Sequence, residues 1–541
     1  MSLTTLSLTI TAAALAGLYL LYLLSLPTPI PGIPHNATSA RRLLGETDAL
    51  GAHLAATADG TFITYAVKLM RRLNCPLVQV FPGPLRRPIL ILGDYSEAYN
   101  VFARRMREFE RSYLTGTVLS ALFPNNQLPM RTGAAWKAQA RRWAGAMSTS
   151  FLRDAVTPGV YGRVGRLVEL WRMKSRVAGA RPWTAVGDVD ALVMEIVMGF
   201  TFGDAREGSG SALEGRIRAV QGMSMQRRKD IEEMDADRPV VFPVEMEGGL
   251  HPVLELNKAM ADMRGAFIPS LKRAAVLRRQ SVKDALKAQT DYIQDKIKEA
   301  VQWPGAAKSV VDIMVAQERE QAKMQEREPD YFSRAMIDQY LTEHPQVQDK
   351  LRRAIEATLD TEKYPSLDDI LNASIPYLDA TVEEILRFAN PTTAVDREAL
   401  VDTQILGHAV PKGTIVICIL TEPGMTSRGL HTDNEHDTAN RPSWDQPSLA
   451  QFSPERWLVQ GEKGEQFHRD AAPQMAFGLG PRACSGRKLA YLVMRAAVAA
   501  VVWNFELMAC PPRLSGFRPW LGTVKRPEEC YLRLREIRRG Y

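Results

Sequence analysis

The chain opens with an apolar run over residues 3–26, and no Asp, Glu, Lys or Arg occurs before Arg41. A run of this length approaches the ~20 residues that cross a bilayer. It lacks the positive leader of a cleaved secretory signal, and its apolar stretch is longer than such signals carry. Residues 1–26 are therefore expected to be a retained transmembrane helix, a single-pass membrane anchor. Pro27, Pro29, Pro31 and Pro34 make residues 27–40 a stiff, extended spacer. Arg41 and Arg42 follow, which places the body of the protein, residues 41–541, on the cytosolic side.

Beyond the spacer the pattern changes twice. Residues 76–81 and 87–92 read as two short strands about the turn Pro82-Gly83-Pro84. Apolar positions then recur at helical spacing over residues 94–107, 134–147, 162–178 and 188–202. Residues 228–250 are charge-rich and irregular, and helical patterns resume to about residue 325. A second strand-like patch covers 404–420 around Pro411-Lys412-Gly413, and residues 422–454 read as a long polar surface loop. An apolar helical pattern runs over 489–502. The expected fold class is mainly α with a small β portion, in a single large domain behind the N-terminal helix.

Bulk composition narrows the class. The 541 residues are 45% apolar, enough for a large buried core. A net charge of +7 suits an anionic membrane surface or an acidic protein partner. With no long basic run and no nucleic-acid motif, nucleic acid is not an expected partner. The five cysteines are widely spaced and include no C-x-x-C pair, which reads as a reduced, cytosol-facing protein.

One of those cysteines carries the chemistry. Phe477-Gly478-Leu479-Gly480-Pro481-Arg482-Ala483-Cys484-Ser485-Gly486 sets a thiol among glycines, just ahead of a helix. Glycines allow tight turns and close backbone approach, and loop N–H groups together with a helix N-terminus favour a thiolate. Such a thiolate can bind a metal. Phe477, Gly480, Arg482, Cys484 and Gly486 at this spacing resemble the haem-ligand loop of the cytochrome P-450 family. The resemblance implies haem b, with Cys484 as axial ligand and Phe477, Gly478 and Gly486 around it. In that family the thiolate pushes electron density onto the iron and favours O–O cleavage.

Two further motifs fit the same family. Glu384-Ile385-Leu386-Arg387 puts an acid and a base on one helical face. Alone this is weak, and Glu108…Arg111 and Glu536…Arg539 match it too. Followed by Phe452-Ser453-Pro454-Glu455-Arg456-Trp457, it resembles the family's buried network, so Glu384, Arg387 and Arg456 are expected to be structural. Arg397 resembles the arginine of a sheet segment that reaches a haem propionate, and Arg482 is a second propionate candidate. The family's Trp-x-x-x-Arg pattern is matched by Trp136 with the arginine one residue late, at Arg141, a shift of ~100° around a helix.

The family's distal helix carries an Ala/Gly-Gly-x-Asp/Glu-Thr-Thr run for proton delivery. Here residues 330–339, which resemble the approach to that helix, continue directly at Gln339/Tyr340 into what resembles the segment after it. About 20 residues of helix are absent, and no distal acid or threonine can be assigned. Either an internal segment has been lost from the sequence, or the oxygen chemistry is altered. The leading expectation is a haem-thiolate monooxygenase of the fungal microsomal type, in the endoplasmic reticulum membrane. It would act on a lipophilic small molecule in secondary metabolism, with electrons from NADPH through a cytochrome P-450 reductase docking near Arg487 and Lys488. A peroxide-using or rearranging haem-thiolate enzyme, and a catalytically impaired anchored haem protein, are the alternatives.

Overall fold

The computed structural model describes residues 3–57, 60–114, 122, 127, 130–203, 211–244, 251–264, 269–302, 307–324, 374–421, 447–462, 464–515, 519–521, 525–527 and 529–537. The chain divides into two compact units. The first comprises residues 1–114, 392–451 and 478–483, and the second 115–391, 452–477 and 484–541.

The first unit holds a five-stranded sheet. Its strands are β1 (Leu77–Val80), β2 (Ile89–Leu92), β3 (Phe109–Glu110), β4 (Ala394–Ala399) and β5 (Ile415–Ile419), in the order β1-β2-β5-β4-β3. β1 and β2 are antiparallel, with Val80 opposite Ile89, as the two expected strands about the Pro-Gly-Pro turn require. β2 and β5 run parallel, and the other pairs are antiparallel. Ahead of the sheet stand α1 (Leu3–Ser25) and α2 (Phe62–Leu73). α2 covers the sheet with Tyr65, Ala66, Leu69 and Met70 against Val78, Val80, Ile91 and Ile419. It begins at a reciprocal Thr61–Thr64 cap and stops at Asn74, whose φ of 46° ends the helical ladder.

The Pro-rich segment lies against this sheet. Gln79, fully buried in β1, accepts the Ile30 N–H at 2.8 Å and donates to the carbonyls of Ile30 and Ile33 at 2.9 and 2.7 Å. α1 carries no Asp, Glu, Lys or Arg, and its described large side chains, from Ile10 to Leu24, stand exposed. Among the described residues, however, no helix is long and apolar enough to cross a membrane. The fold therefore does not support the expected transmembrane span.

The second unit is helical. Its main elements are α3 (Ala134–Ala144), α4 (Thr157–Ala178), α5 (Val186–Phe202), α6 (Gln280–Gln302), α7 (Val310–Met324), α8 (Pro376–Ala389) and α9 (Arg487–Asn504). Leu167 and Trp171 of α4 share a core with Phe200 of α5, Ile297 of α6 and Ala500 of α9. Leu378 and Ile385 of α8 pack in another core with Val498, Val502 and Trp503 of α9. Within the first core, Lys174 Nζ lies 2.7 and 2.8 Å from the two oxygens of Asp188, and the Trp171 indole donates to Asp188 at 3.1 Å. Burial lowers the Lys174 pKa, and the Asp188 charge opposes that shift.

The mainly α class with a small sheet is what the pattern predicts. The expected helices near 134–147, 162–178, 188–202 and 489–502 are present. The one over 94–107 is not continuous. It ends as Tyr95–Tyr99 and a π-turn over Asn100–Arg104, and the chain then enters β3. The Arg105 guanidinium draws it away, donating to Glu97 (2.8 Å), Glu108 (2.7 Å), Thr403 (2.6 Å) and the Gln404 carbonyl (2.7 Å). Those last partners lie far along the sequence, so local periodicity could not foresee the break. The irregular 228–250 stretch begins inside a helix, Met225–Glu232, which starts where the Ser224 hydroxyl accepts the Arg227 N–H. The Gln339/Tyr340 join and residues 422–446 of the expected surface loop lie outside the described residues.

Candidate functional site

The cysteine loop straddles the division of the chain, with Gly478–Ala483 in the first unit and Phe477 and Cys484 in the second. Gly478 and Gly480 both adopt φ of 66°, a conformation that glycine takes without strain. A side chain at Gly480 would also set its Cβ 2.7 Å from the Phe102 carbonyl oxygen. Ala483 N–H closes the turn onto the Gly480 carbonyl at 3.0 Å. Gly486 differs from the expectation for these glycines. Its φ is −75°, so it is not there for backbone freedom, and a Cβ would meet Cys484 Sγ at 3.8 Å, an ordinary contact. In the second unit, Cys484 is exposed and its N–H donates to the Phe477 carbonyl at 2.8 Å.

The first unit also gathers three guanidinium groups. Arg397, on β4, is 7% exposed, lies 4.3 Å over the Phe102 ring and donates to the Asp396 carbonyl at 2.9 Å. Burial, and then the Arg111 charge, push its pKa down to about 10. Burial and Arg111 push Arg482 down to about 10 as well, against the opposing carboxylate of Glu110, whose Oε1 is 3.9 Å away. Arg111 Nη2 reaches the Arg482 carbonyl at 3.4 Å. Like charges held together in a partly desolvated place favour an anion beside them.

Sequence reasoning missed Arg111, which it grouped with Glu108 as a chance match. Glu108 instead accepts from Arg105 and Thr403. Arg111 follows a two-residue strand whose partner in β4 lies nearly 300 positions away, so no local pattern marks it.

The expected Glu384 network forms in the second unit. Arg387 Nε and Nη2 donate to Glu384 at 2.9 and 2.8 Å, and neither side chain is exposed. Arg456 Nε adds a bond at 3.0 Å, the Ser453 N–H one at 2.8 Å and the Trp457 indole one at 2.9 Å. Ser453 and Trp457 belong to the motif quoted from the sequence, yet their part in the network was not foreseen. Burial would raise the Glu384 pKa. The Arg387 hydrogen bonds, the Ser453 N–H, the Arg387 charge and Trp457 outweigh it, and the carboxyl titrates below its ordinary range. Trp136 and Arg141 both lie on α3, Trp136 half-buried and Arg141 exposed.

Each donor set, in its own unit, has chemistry that a haem requires. Cys484, an exposed residue of the second unit, carries a sulfur of the kind that binds iron, and the Arg111–Arg397–Arg482 group of the first unit has the positive excess that carboxylates require.

The description Cytochrome P-450 belongs to a family model that matches residues 335–532. Relatives along nearly the full length include a cytochrome P-450 monooxygenase of Fusarium sporotrichioides. It is 29% identical, over 96% of this chain and 98% of its own. Another, of Pestalotiopsis microspora, is 27% identical over 97% of each chain. A shorter match, to a cytochrome P-450 monooxygenase of Dothistroma septosporum, is 34% identical over 43% of this chain and 88% of its own length. The chain belongs to the cytochrome P-450 family. It is an oxidoreductase of the monooxygenase class, with haem b as cofactor and electrons drawn from a redox partner, typically NADPH through a reductase.

Proposed function

We propose that Cys484 is the axial thiolate of this enzyme and that Arg111, Arg397 and Arg482 hold the haem carboxylates. The observation that carries the reading is the turn that presents Cys484, an exposed residue whose backbone N–H is committed to the Phe477 carbonyl. Assigning the thiol and the arginines to one haem rests on the family motif. When bound, haem supplies the iron at which dioxygen is reduced and one oxygen atom is passed to an organic substrate. The chain's own residues do the holding. Gly478 and Gly480 let the loop turn, Phe477 fixes the Cys484 N–H, and the arginines neutralise the carboxylates. Glu384, Arg387 and Arg456 lock the second unit from within and touch no reacting atom. Trp136 and Arg141 remain candidate haem contacts from α3, with Arg141 the weaker because it faces solvent.

The substrate is a lipophilic small molecule of secondary metabolism, and the setting is the cytosolic face of the endoplasmic reticulum with α1 as anchor. What supports the anchor is a helix of 23 residues without Asp, Glu, Lys or Arg. Exposed apolar side chains near charged pairs add to it: Leu43 and Leu44 follow Arg41 and Arg42, and Leu85, 82% exposed, precedes Arg86 and Arg87.

The distal acid and threonine are absent because a segment has been lost at Gln339/Tyr340. What supports this is the sequence itself, where residues that resemble the approach to the distal helix run at Gln339/Tyr340 directly into what resembles the segment after it.

The test pairs two experiments. A transcript read across Gln339/Tyr340 should show extra codons. The chain carrying them, with reductase and NADPH, should oxidise a lipophilic substrate pool, whereas the present chain turns over poorly. Peroxide-driven turnover by the present chain, with no extra codons in the transcript, would favour the peroxide-using alternative instead.

A further inference from the structure

Glu383 and Glu384 are neighbours on α8, yet their carboxylates serve different partners. Glu384 turns to Arg387 and Arg456. Glu383, 1% exposed, accepts from the Tyr491 hydroxyl at 2.5 Å and from Gln474 Nε2 at 3.1 Å, with Arg469 Nη2 at 3.4 Å. Each of the first two partners leads to the same place. Gln474 Oε1 accepts the Ala476 N–H at 2.9 Å, one residue before Phe477. The Tyr491 ring lies 5.5 Å from the Phe477 ring, tilted by 42°. Phe477 in turn holds the Cys484 N–H through its carbonyl at 2.8 Å.

We propose that Glu383 is a positioning residue for Cys484, acting through two arms, Gln474 on the backbone before Phe477 and Tyr491 on its ring. The proposal rests on the reading of Cys484 as the haem ligand. Burying a carboxylate is costly, and a purely structural contact between α8 and α9 would be served as well by apolar side chains. Here the carboxylate instead collects donors that converge on one residue. Arg469 and Arg487 steady the tyrosine arm, with guanidinium carbons 5.1 and 5.8 Å from the centre of its ring. Partners one step removed from a metal ligand orient it and tune the metal. Displacing Phe477 moves the carbonyl that engages the cysteine's own backbone donor, and the electronic surroundings of the sulfur change with it.

A cavity of about 470 Å³ adjoins this cluster, lined among others by Glu383, Arg469, Arg487, Tyr491 and Arg495. It gives room for water to take up a group released by mutation. Loss of one arm is therefore expected to leave the chain folded.

The experiment uses the full-length haem-bound chain and the variants Tyr491→Phe, Gln474→Ala, the double variant and Glu383→Gln. Asp379→Asn is the control, since Asp379 lines the same cavity but pairs with Arg495. The reduction potential and the Soret band of the reduced carbon monoxide form are recorded, with thermal unfolding in parallel. Each single-arm variant should shift the reduction equilibrium by about threefold. The double variant and Glu383→Gln should shift it by about tenfold, the low end of the ~10–100-fold by which losing such outer partners lowers metal affinity or activity. The control should not move it. If the wild type shows a thiolate-type band and the arm variants change neither band nor potential, Glu383 has no positioning role. If the wild type shows no such band, it is the ligand assignment that fails. Should Glu383→Gln not retain haem, Tyr491→Phe and Gln474→Ala still decide the matter.

Discussion

Arg387 lays a two-pronged hydrogen bond on Glu384, at 2.9 and 2.8 Å, with neither side chain exposed to solvent. Such a pair adds little net stability compared with apolar packing, but removing one partner strands the other as an uncompensated buried charge. Glu384→Ala should therefore cost about 3–5 kcal/mol. Arg387→Lys should also be damaging, because a lysine cannot reproduce the planar fork. Urea unfolding of the purified variants checks both. A loss near zero for either would mean that the network relaxes around the gap.

The same carboxyl sets a dependence on acid. Its folded pKa is depressed, so its contribution is complete above the ordinary glutamate value of ~4.3 and fades as pH falls toward the lower folded value. Thermal stability of the wild type should drop on acidification through that window. Glu384→Gln keeps an acceptor but cannot titrate, so it should show a shallower drop. Equal slopes would remove Glu384 from the acid response.

Lys174 and Asp188 offer a second buried pair, 4% and 1% exposed, that no catalytic proposal uses. Asp188→Ala leaves Lys174, Arg216 and the Trp171 indole without their shared acceptor, and about 3–5 kcal/mol should be lost. Adding Lys174→Met should recover part of that loss, because the more deeply buried of the two stranded charges goes with it. Chemical unfolding of the single and double variants measures the recovery, and an additive double variant would contradict the account.

Arg111 lowers the pKa of both Arg397 and Arg482 by its charge. Arg111→Gln should thus leave the haem-free chain as stable as before, within about 1 kcal/mol, while weakening haem binding about tenfold, the worth of one charge-assisted bond. Haem titration alongside urea unfolding separates the two effects. A variant that unfolds readily yet binds haem normally would make Arg111 a structural residue.

Much of this arrangement could be read from the chain, for identifiable reasons. Glu384 and Arg387 are three residues apart on a helix, and the motif containing Arg456 brought its own label. The turns at Gly478 and Gly480 follow from residue type. What could not be read depends on contacts between distant segments. Arg111 gains meaning only when β3 lies beside β4, and the π-turn over Asn100–Arg104 only when Arg105 finds Thr403 and Gln404. Glu384 is marked in the sequence by Arg387 three residues on, whereas no such spacing marks Glu383. The difference lies in which face of α8 meets Tyr491 and Gln474. The prolines of residues 27–40 set stiffness and so predict a spacer. They do not reveal Gln79, whose side chain holds Ile30 and Ile33.

The most direct measurement is the carbon monoxide spectrum of the full-length chain, reduced, beside its Cys484→Ala variant. The account predicts a red-shifted, thiolate-type Soret band in the wild type and its complete loss in the variant, even where haem is still retained. A wild-type band without that shift, or a shifted band that survives in Cys484→Ala, would contradict it.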